Sequence, residues 1–386
     1  INQLKLRVSY GVSGNQSIPN YQSLSLLGSS QVFLGGTRIA FSPSGLGNPD
    51  LKWERTSQLD IGVDLMLWEE RVSLSADYYR KTTTDMIFNV PTPTSSGFTS
   101  SVRNLGEMTN QGVDLSLSVT GGSADGFRWS TSFNTNVNRN EVTDLGQRGT
   151  FFGDAGSGHL KIGDTFIVRE GEPLGSFYGF VYDGIFSNEQ EVENSAQPDA
   201  RPGEVRFEDI NGDGAITDAD RTVIGDANPD FSGGFAFSLG YKALQLDVNT
   251  VYKYGNDIFN MNRVEGQLPT GGVNNFESVL DYWTPNNRDA TVPRPTRARQ
   301  VQFSSRYLED GSYLRLQNVT LGYTIGGSLL QRVGAENLRL FTSANNLFVI
   351  TNYSGYDPEV SSFGQNELAK GHDLGNYPRP RSFSAG

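Results

Sequence analysis

The sequence predicts an all-β protein, a transmembrane antiparallel β-barrel, and three features support this prediction. Apolar and polar residues alternate along segments of about ten residues, aromatic residues cluster near segment ends, and short connections alternate with long ones. The 45 glycines, 16 tyrosines and 23 phenylalanines fit a protein rich in turns and strands. The sequence lacks the ~18 uninterrupted apolar residues that a transmembrane helix needs.

Period-two alternation places every second side chain on the same face of a strand. Segment 57–68, for example, has Leu59, Ile61, Val63, Leu65 and Leu67 on one face. Ten segments are interpreted as strands: residues from 1 onward, 57–68, 71–81, 111–120, 126–139, 231–241, 244–255, 312–325, 337–347 and 380–386. Many of them match the ~9–11 residues of a tilted strand that crosses a bilayer, whereas globular strands usually have ~5–6. An apolar face towards lipid and a polar face towards a wet lumen would produce this pattern.

Aromatic residues cluster near the ends of these segments. They include Tyr10, Trp53, Trp68, Tyr78, Tyr79, Trp129, Tyr241, Tyr252, Tyr254, Tyr313 and Tyr323. Aromatic girdles at the two membrane–water interfaces explain this distribution, because these side chains are amphipathic. The alternative is that they are core aromatics of a soluble β-sandwich.

Connection lengths alternate along the chain. Short links lie at 69–70, 121–125, 242–243 and 326–336, and long connections lie near 14–56, 82–110, 140–230, 256–311 and 348–379. Short periplasmic turns opposite long extracellular loops are typical of outer-membrane barrels. Within 140–230, the strand-like pieces 165–169 and 177–182 predict either a further hairpin or an extension of the sheet above the membrane.

Charge, cysteine content and motifs exclude several classes of function. A formal net charge of -12 argues against a nucleic-acid partner, which requires a basic surface. The absence of cysteine excludes disulfides and thiolate metal sites. The sequence contains neither a nucleophile elbow, a Walker loop, a zinc-spaced histidine pair nor a dinucleotide fingerprint, so we do not expect an enzyme.

The two ends of the sequence both resemble strand fragments. No signal peptide precedes residues 1–10, which already alternate as in a strand, and 381–386 resemble a strand that has just begun. We therefore expect residues 1–386 to be the C-terminal part of a larger barrel. The remaining strands would remove the open edges, which lipid does not tolerate.

Several motifs follow one another along nearly the whole chain. They are Asn48-Pro-Asp-Leu-Lys-Trp-Glu54, Ser75-Ala-Asp-Tyr-Tyr-Arg-Lys81, Asn110-Gln-Gly-Val-Asp114, Gly175-Ser-Phe-Tyr-Gly-Phe180, Tyr182-Asp-Gly-Ile-Phe186, Tyr313-Leu-Arg-Leu-Gln-Asn-Val-Thr-Leu-Gly-Tyr323, Ser343-Ala-Asn-Asn-Leu-Phe348, Tyr356-Asp-Pro-Glu359 and Tyr377-Pro-Arg-Pro-Arg-Ser-Phe383. As an ordered set they resemble the C-terminal barrel portion of SusC/RagA-family TonB-dependent transporters.

This resemblance implies a multi-pass protein of the cell outer membrane, with a barrel of about 22 strands in contact with outer-membrane lipid. It further implies a plug domain, absent from this chain, and a SusD-like surface lipoprotein as a lid. The TonB complex would supply energy through N-terminal parts that this chain lacks, and the cargo would be oligosaccharides or peptides. Two alternatives remain: a siderophore or vitamin receptor of the same superfamily, and a secreted calcium-binding β-sandwich adhesin.

Residues 209–220 have the spacing of a calcium-binding loop, D-x-N-x-D-G-x-I-x-x-x-D. Calcium is a hard cation and prefers oxygen ligands at such positions. The expected ligands are Asp209, Asn211, Asp213, the carbonyl of Ala215, Thr217 and Asp220. The closing residue is Asp rather than the usual Glu, and an Asx-rich turn without metal is the alternative. A bound calcium would hold the long 140–230 connection in shape.

Six aromatic residues in the long connections are candidates for contact with a ligand or a lid protein. They are Tyr178, Tyr182, Phe276, Trp283, Tyr353 and Tyr356. Exposed aromatic rings favour binding interfaces, because they offer a large contact area. The alternative is that they pack the long connections against one another.

Overall fold

A computed structural model describes the chain for residues 1–15, 20–33, 35–98, 100–123, 126–146, 149–154, 160, 162–267, 274–295, 301–326, 330, 334–360, 362–364 and 366–386. Parts of each long connection, and most of the 326–336 link, lie outside these described residues.

The described residues form 23 strands. In chain order they are β1 (Gln3–Asn15), β2 (Leu27–Phe33), β3 (Thr37–Pro43), β4 (Glu54–Leu67), β5 (Val72–Thr84), β6 (Ile87–Pro91), β7 (Ser100–Asn104), β8 (Glu107–Gly122), β9 (Phe127–Asp144), β10 (Phe151–Gly153), β11 (Phe166–Val168), β12 (Ser176–Gly179), β13 (Tyr182–Ile185), β14 (Val205–Phe207), β15 (Thr222–Gly225), β16 (Phe231–Tyr241), β17 (Leu244–Tyr254), β18 (Asp257–Asn260), β19 (Leu308–Asp310), β20 (Tyr313–Gly326), β21 (Asn337–Thr351), β22 (His372–Asp373) and β23 (Ser382–Ala385).

Helical structure is sparse. Among the described residues, the named α-helices are α1 (Glu189–Glu193) and α2 (Met261–Gly266), and 3₁₀ turns lie at Thr94–Ser96, Asp218–Asp220, Glu277–Asp281, Ser305–Tyr307 and Glu367–Ala369. In the part of the chain that the structure describes, no helix has the length and apolar character needed to cross a membrane.

Ten strands form one antiparallel sheet in the order β1-β4-β5-β8-β9-β16-β17-β20-β21-β23. They correspond to the ten strands predicted from the sequence, and the prediction of an all-β fold with a large antiparallel sheet is confirmed. Neighbours in the sheet follow one another along the chain, so successive connections lie at alternate ends. The long connections 16–53, 85–106, 145–230, 255–312 and 352–381 therefore share one end, which we call the loop end.

The registers align the apolar residues of successive strands into a continuous band on one face. Leu6 pairs with Val63, Val63 with Ala76, and the band continues through the pairs Leu74–Leu117, Leu117–Phe133, Phe133–Phe235, Leu239–Leu246 and Leu246–Leu321. Several of these side chains are exposed, with Leu6 at 75% and Val8 at 73%. A soluble β-sandwich would bury such a face against a second sheet. The sandwich alternative is therefore wrong, because this apolar face is open.

The opposite face carries small polar and charged residues that bond across strands. Arg7 donates to Asp64 at 2.8 Å and also pairs with Asp77 at 2.8 Å. Gly62 lies between these groups, and a Cβ there would come within 2.1 Å of an Asp77 oxygen. A larger residue at position 62 would therefore displace the ion cluster.

The 145–230 connection forms its own small sheets. Strands β10, β11, β12 and β15 form a four-stranded sheet, and β13 pairs with β14. The strand-like pieces predicted at 165–169 and 177–182 correspond to β11 and β12, which pair with each other antiparallel, as the predicted hairpin requires. This hairpin belongs to the four-stranded sheet and adds no strand to the large sheet. These strands have three or four residues, too short for a bilayer crossing.

The buried core lies mainly at the loop end. One cluster joins buried residues of the 145–230 and 255–312 connections and includes Phe177, Phe259, Met261, Val264 and Phe303. A second cluster includes Phe88, Val90, Val142, Leu145, Phe166 and Val168. Burial of these side chains at ~25 cal/mol per Å² stabilises the loop end, and it keeps the long connections in fixed positions.

A paired substitution on β8 tests the assignment of the two faces. In the complete membrane protein, Leu117→Arg should lower the free energy of unfolding by about 2–4 kcal/mol, because it places a charge on the apolar band. Ser118→Arg, one residue on, faces the polar side and should change it by less than about 1 kcal/mol. Urea unfolding in lipid vesicles measures both. Equal effects of the two variants would contradict the assignment.

Candidate functional site

The loop end contains a cavity of about 610 Å³ between α2, β19 and the 352–381 connection. Its lining includes Asn260, Arg263, Phe276, Glu309, Ser354 and Tyr356, and we call it the aromatic cavity. Phe276 and Tyr356 come from different connections, and their rings are 42% and 70% exposed. Both can therefore meet a solute that enters from outside.

Glu309 organises the polar side of this cavity. Its carboxylate accepts hydrogen bonds from Arg263 at 2.9 Å, from the Ser354 backbone at 2.8 Å and from the Ser354 hydroxyl at 2.9 Å. Burial alone would raise the pKa of Glu309, but these hydrogen bonds outweigh it and the pKa lies below its usual value. The carboxylate is therefore ionised at neutral pH and holds Arg263 and Ser354 in place.

Two local features position the aromatic walls. Gly266 lies under the Phe276 ring, where a Cβ would come within 2.6 Å of a ring carbon. Beyond Tyr356, the chain is fixed by Asp357 and Glu359, which pair with Arg315 at 2.5 and 2.9 Å. Arg315 and Asp357 are both 3% exposed. Removing one partner would leave a buried charge without compensation, which costs about 3–5 kcal/mol.

The other four aromatic candidates pack within the loop end. Tyr353 is 5% exposed and its hydroxyl donates to Asp373. The Tyr178 ring contacts Phe152 at 5.2 Å between centroids, and the Tyr182 ring lies 5.2 Å from the Arg306 guanidinium. Trp283 is 9% exposed. Of the six candidates, Phe276 and Tyr356 are brought together, and the remaining four hold the connections against one another.

Arg263, Glu309 and Ser354 were not among the residues predicted from the sequence. Arg263 and Glu309 are 46 positions apart, and neither belongs to a recognisable motif. A weak local signal exists at Asn260, whose side chain accepts from the Arg263 backbone and caps α2. That signal predicts a helix start and gives no indication of the partner on β19.

The predicted calcium loop, 209–220, is held by its own polar groups. Asp209 accepts from the backbone of Gly212 at 2.8 Å and of Gly214 at 2.9 Å. Asp220, fully buried, accepts from the backbone of Thr217 at 2.8 Å and of Ile210 at 3.1 Å. These backbone hydrogen bonds, led by that from Thr217, lower the pKa of Asp220. The geometry is that of an Asx-rich turn.

The fit of this loop to a cation has two sides. The Asp220 carboxylate lies beside that of Asp209, an arrangement that a cation would stabilise. Within the described residues, however, no three His, Cys, Asp or Glu side chains are grouped to hold a metal ion. The carboxylates of Asp209, Asp213 and Asp220 therefore do not converge on one point in this structure.

His372 lies at the centre of the loop-end core. It is 1% exposed, its Nε2 is 2.9 Å from the Thr165 hydroxyl, and its ring contacts Phe177 at 5.2 Å and Phe259 at 5.5 Å. Burial lowers the pKa of His372 to about 4. It is therefore neutral in the folded loop end at neutral pH.

Comparison with known proteins identifies relatives of the whole chain. The family model described as TonB dependent receptor-like, beta-barrel matches residues 1–347. The TonB-dependent receptor P3 of Formosa agariphila is 37% identical over 100% of this chain and 39% of its own length. The TonB-dependent receptor SusC of Bacteroides thetaiotaomicron is 27% identical over 100% of this chain and 37% of its own length. The chain thus spans about 40% of the length of these relatives.

Solved structures agree with this result. The RagAB peptide transporter superposes with a TM-score of 0.80 at 29% identity, over 99% of this chain and 40% of that chain. The 'open-open' state of the RagAB peptide importer gives a TM-score of 0.77. The fold of the loop end and of the ten-stranded sheet is therefore shared with these structures.

The buried neutral state of His372 predicts a pH-dependent loop end. Unfolding returns the His372 pKa from about 4 to ~6.5, so the unfolded state binds a proton first as the pH falls. The contribution of neutral His372 to the free energy of unfolding is complete above pH ~6.5. It decreases towards pH ~4, by roughly 3 kcal/mol in total. Hydrogen exchange of 160–180 at pH 8 and pH 5 measures this loss. His372→Gln, which does not titrate, should lose less between these pH values, and an equal loss would refute the assignment.

Proposed function

The chain belongs to the TonB dependent receptor-like β-barrel family, and from this we propose that it is part of an outer-membrane importer of oligosaccharides or peptides. The large antiparallel sheet is part of an outer-membrane β-barrel wall, with its apolar band towards lipid. The loop end would lie outside the cell and receive the cargo. The TonB complex would supply the energy.

The observation that best supports import is the similarity to RagAB over 99% of the chain. RagAB is a peptide transporter, and SusC is a TonB-dependent receptor. These relatives are transport proteins, which supports the prediction that the chain is not an enzyme. A SusD-like surface lipoprotein is proposed as the lid, because the chain is similar to SusC and to the RagAB peptide transporter.

Within this function, the aromatic cavity is the proposed first contact for cargo. Phe276 and Tyr356 offer exposed rings for stacking on sugars or on apolar side chains. The ion pair of Arg263 and Glu309, with Asn260, offers polar groups at the other wall. A mixed aromatic and polar lining is typical of small-solute sites. The siderophore and vitamin alternative has no specific support from this lining.

Uptake by intact cells tests the proposal. In the complete receptor, the double variant Phe276→Ala/Tyr356→Ala should reduce initial uptake of a labelled oligosaccharide or peptide about tenfold, because each ring contributes ~0.5–1.5 kcal/mol. Tyr377→Ala is the control, because Tyr377 is an exposed ring (85%) in the same connection as Tyr356 and does not line the cavity. A protonophore should abolish uptake in the wild type. Uptake that continues unchanged in the presence of the protonophore would contradict active import. Full uptake by the double variant would contradict the role assigned to the aromatic cavity.

We also propose calcium as a structural ion of the 209–220 loop. Asp209, Asn211, Asp213, Thr217, Asp220 and the Ala215 carbonyl would hold it, all through oxygen atoms. Support comes from the ligand spacing and from the adjacent carboxylates of Asp209 and Asp220. The ion would tie the exposed loop together and would take no part in transport chemistry.

Limited proteolysis separates the calcium site from the metal-free turn. Asp209→Asn and Asp213→Asn each retain a side-chain oxygen for the turn but remove a calcium-binding charge. In the presence of calcium, both variants should raise the rate of proteolytic nicking in 145–230 about tenfold. The chelator EGTA should raise the nicking rate of the wild type by the same factor. Asp218→Asn, an exposed acid outside the ligand set, should behave as wild type. Nicking that is equal with and without EGTA would remove the metal from the proposal.

A further inference from the structure

A second loop-end cavity, of about 470 Å³, is rich in arginine. Arg201, Arg294 and Arg306 line it together with Asp199, Glu204 and Tyr307, and we call it the arginine cavity. Arg201 and Asp199 are exposed at the rim, whereas Arg306 and Tyr307 are buried. The cavity therefore has a solvent-exposed mouth and a buried cationic floor.

The Arg306 side chain is only 7% exposed, and the groups that accept its hydrogen bonds are all uncharged. It donates to the Tyr182 hydroxyl at 3.1 Å, to the Thr291 carbonyl at 2.8 Å and to Gln267 at 3.4 Å. In the described part of the chain no carboxylate lies within 4.0 Å of it, and its buried Nε has no hydrogen-bond partner. Buried arginine is normally ion-paired, so this charge lacks its usual compensation.

The other two arginines of the cavity also lack ion pairs among the described residues. Arg294 donates to the Pro202 carbonyl at 3.2 Å. Glu204 Oε2 accepts a hydrogen bond from the backbone N–H of Arg201 at 3.2 Å. Trp283 lies beside Arg294 but is not part of the cavity lining, and its buried indole N–H has no hydrogen-bond partner among the described residues. The cavity is thus lined by three arginines and two carboxylates, and the buried Arg306 has no ion pair in the described part of the chain.

We propose that the arginine cavity binds an oxyanion group of a solute, either a carboxylate or a sulfate. Guanidinium groups bind such anions through short, charge-assisted hydrogen bonds, which are about twice as strong as neutral ones. The protein as a whole is negatively charged, with a net charge of -12, so a buried cationic cavity is selective rather than a general anion attractant. The inference that the bound oxyanion belongs to a cargo molecule rests on the proposed import function. The inference that the cavity binds an oxyanion does not depend on that function.

Calorimetric titration of the complete purified receptor tests the inference with two matched pairs of probes. One pair is a short peptide with a free C-terminal carboxylate and the same peptide as its carboxamide. The other is a sulfated oligosaccharide and its unsulfated parent. The anionic member of at least one pair should bind about tenfold more tightly than its neutral partner, as expected for one charge-assisted hydrogen bond.

Variants assign the preference to the cavity. Arg306→Met should abolish the difference between the paired probes, and Arg294→Gln should reduce it about fivefold or more, since each removes a donor. If Arg306→Met does not fold, Arg201→Gln combined with Arg294→Gln decides the question. Arg288→Gln is the control, because Arg288 is exposed, donates to the Pro285 carbonyl of its own turn and does not line the cavity.

Two outcomes would overturn the inference: no preference for the anion in either pair, or a preference that all cavity variants retain. Neither outcome involves uptake, so import with binding of neutral cargo would leave the proposed function intact. Conversely, anion binding without energy-dependent uptake would refute import alone.

Discussion

Backbone N–H and C=O groups in a bilayer must find partners within the protein, because hydrocarbon offers none. Eight strands of the large sheet, from β4 to β21, have a paired neighbour on each side. The pairing must also keep one register, since a slip of one residue would turn every apolar side chain inward. The alignment of Leu6, Val63 and Ala76 shows this register, and the Arg7 ion cluster on the other face depends on it. The position of the loop end follows from the same strand order.

The two parts of the molecule are stabilised differently. Strand residues of the large sheet bury little surface within the chain, and their exposed apolar band needs lipid around it. The loop end instead has buried hydrophobic clusters, one around Phe177 and Phe259 and one around Val142 and Val168, as a soluble domain would. Both cavities lie in this second part. Their walls are therefore held by packing, and binding there need not order a disordered loop.

The ten strands of the large sheet were predictable because period two is a local property of the sequence. The ends of these strands were less predictable. For example, β8 begins at Glu107 and β9 ends at Asp144, where polar residues continue the pairing beyond the apolar stretch. The short strands β10 to β15 carry too few residues for a periodic signal. The site depends on pairs such as Arg263 with Glu309, whose partners lie on different connections. Aromatic side chains could be identified as candidates, but only folding places Phe276 beside Tyr356 and Tyr353 in the core.

One hydrogen bond relates the two cavities. Gln267 lines the aromatic cavity, and its amide oxygen accepts from Arg306, which lines the arginine cavity, at 3.4 Å. The cavities are therefore neighbours with a shared polar wall. Exposed rings on one side of this wall favour apolar or sugar surfaces, and the unpaired guanidinium on the other favours an anion. A solute long enough to contact both cavities would gain binding free energy from each of them. Under the proposed import function and the proposed oxyanion site, this arrangement would favour an extended cargo that combines a stacking surface with a negative charge.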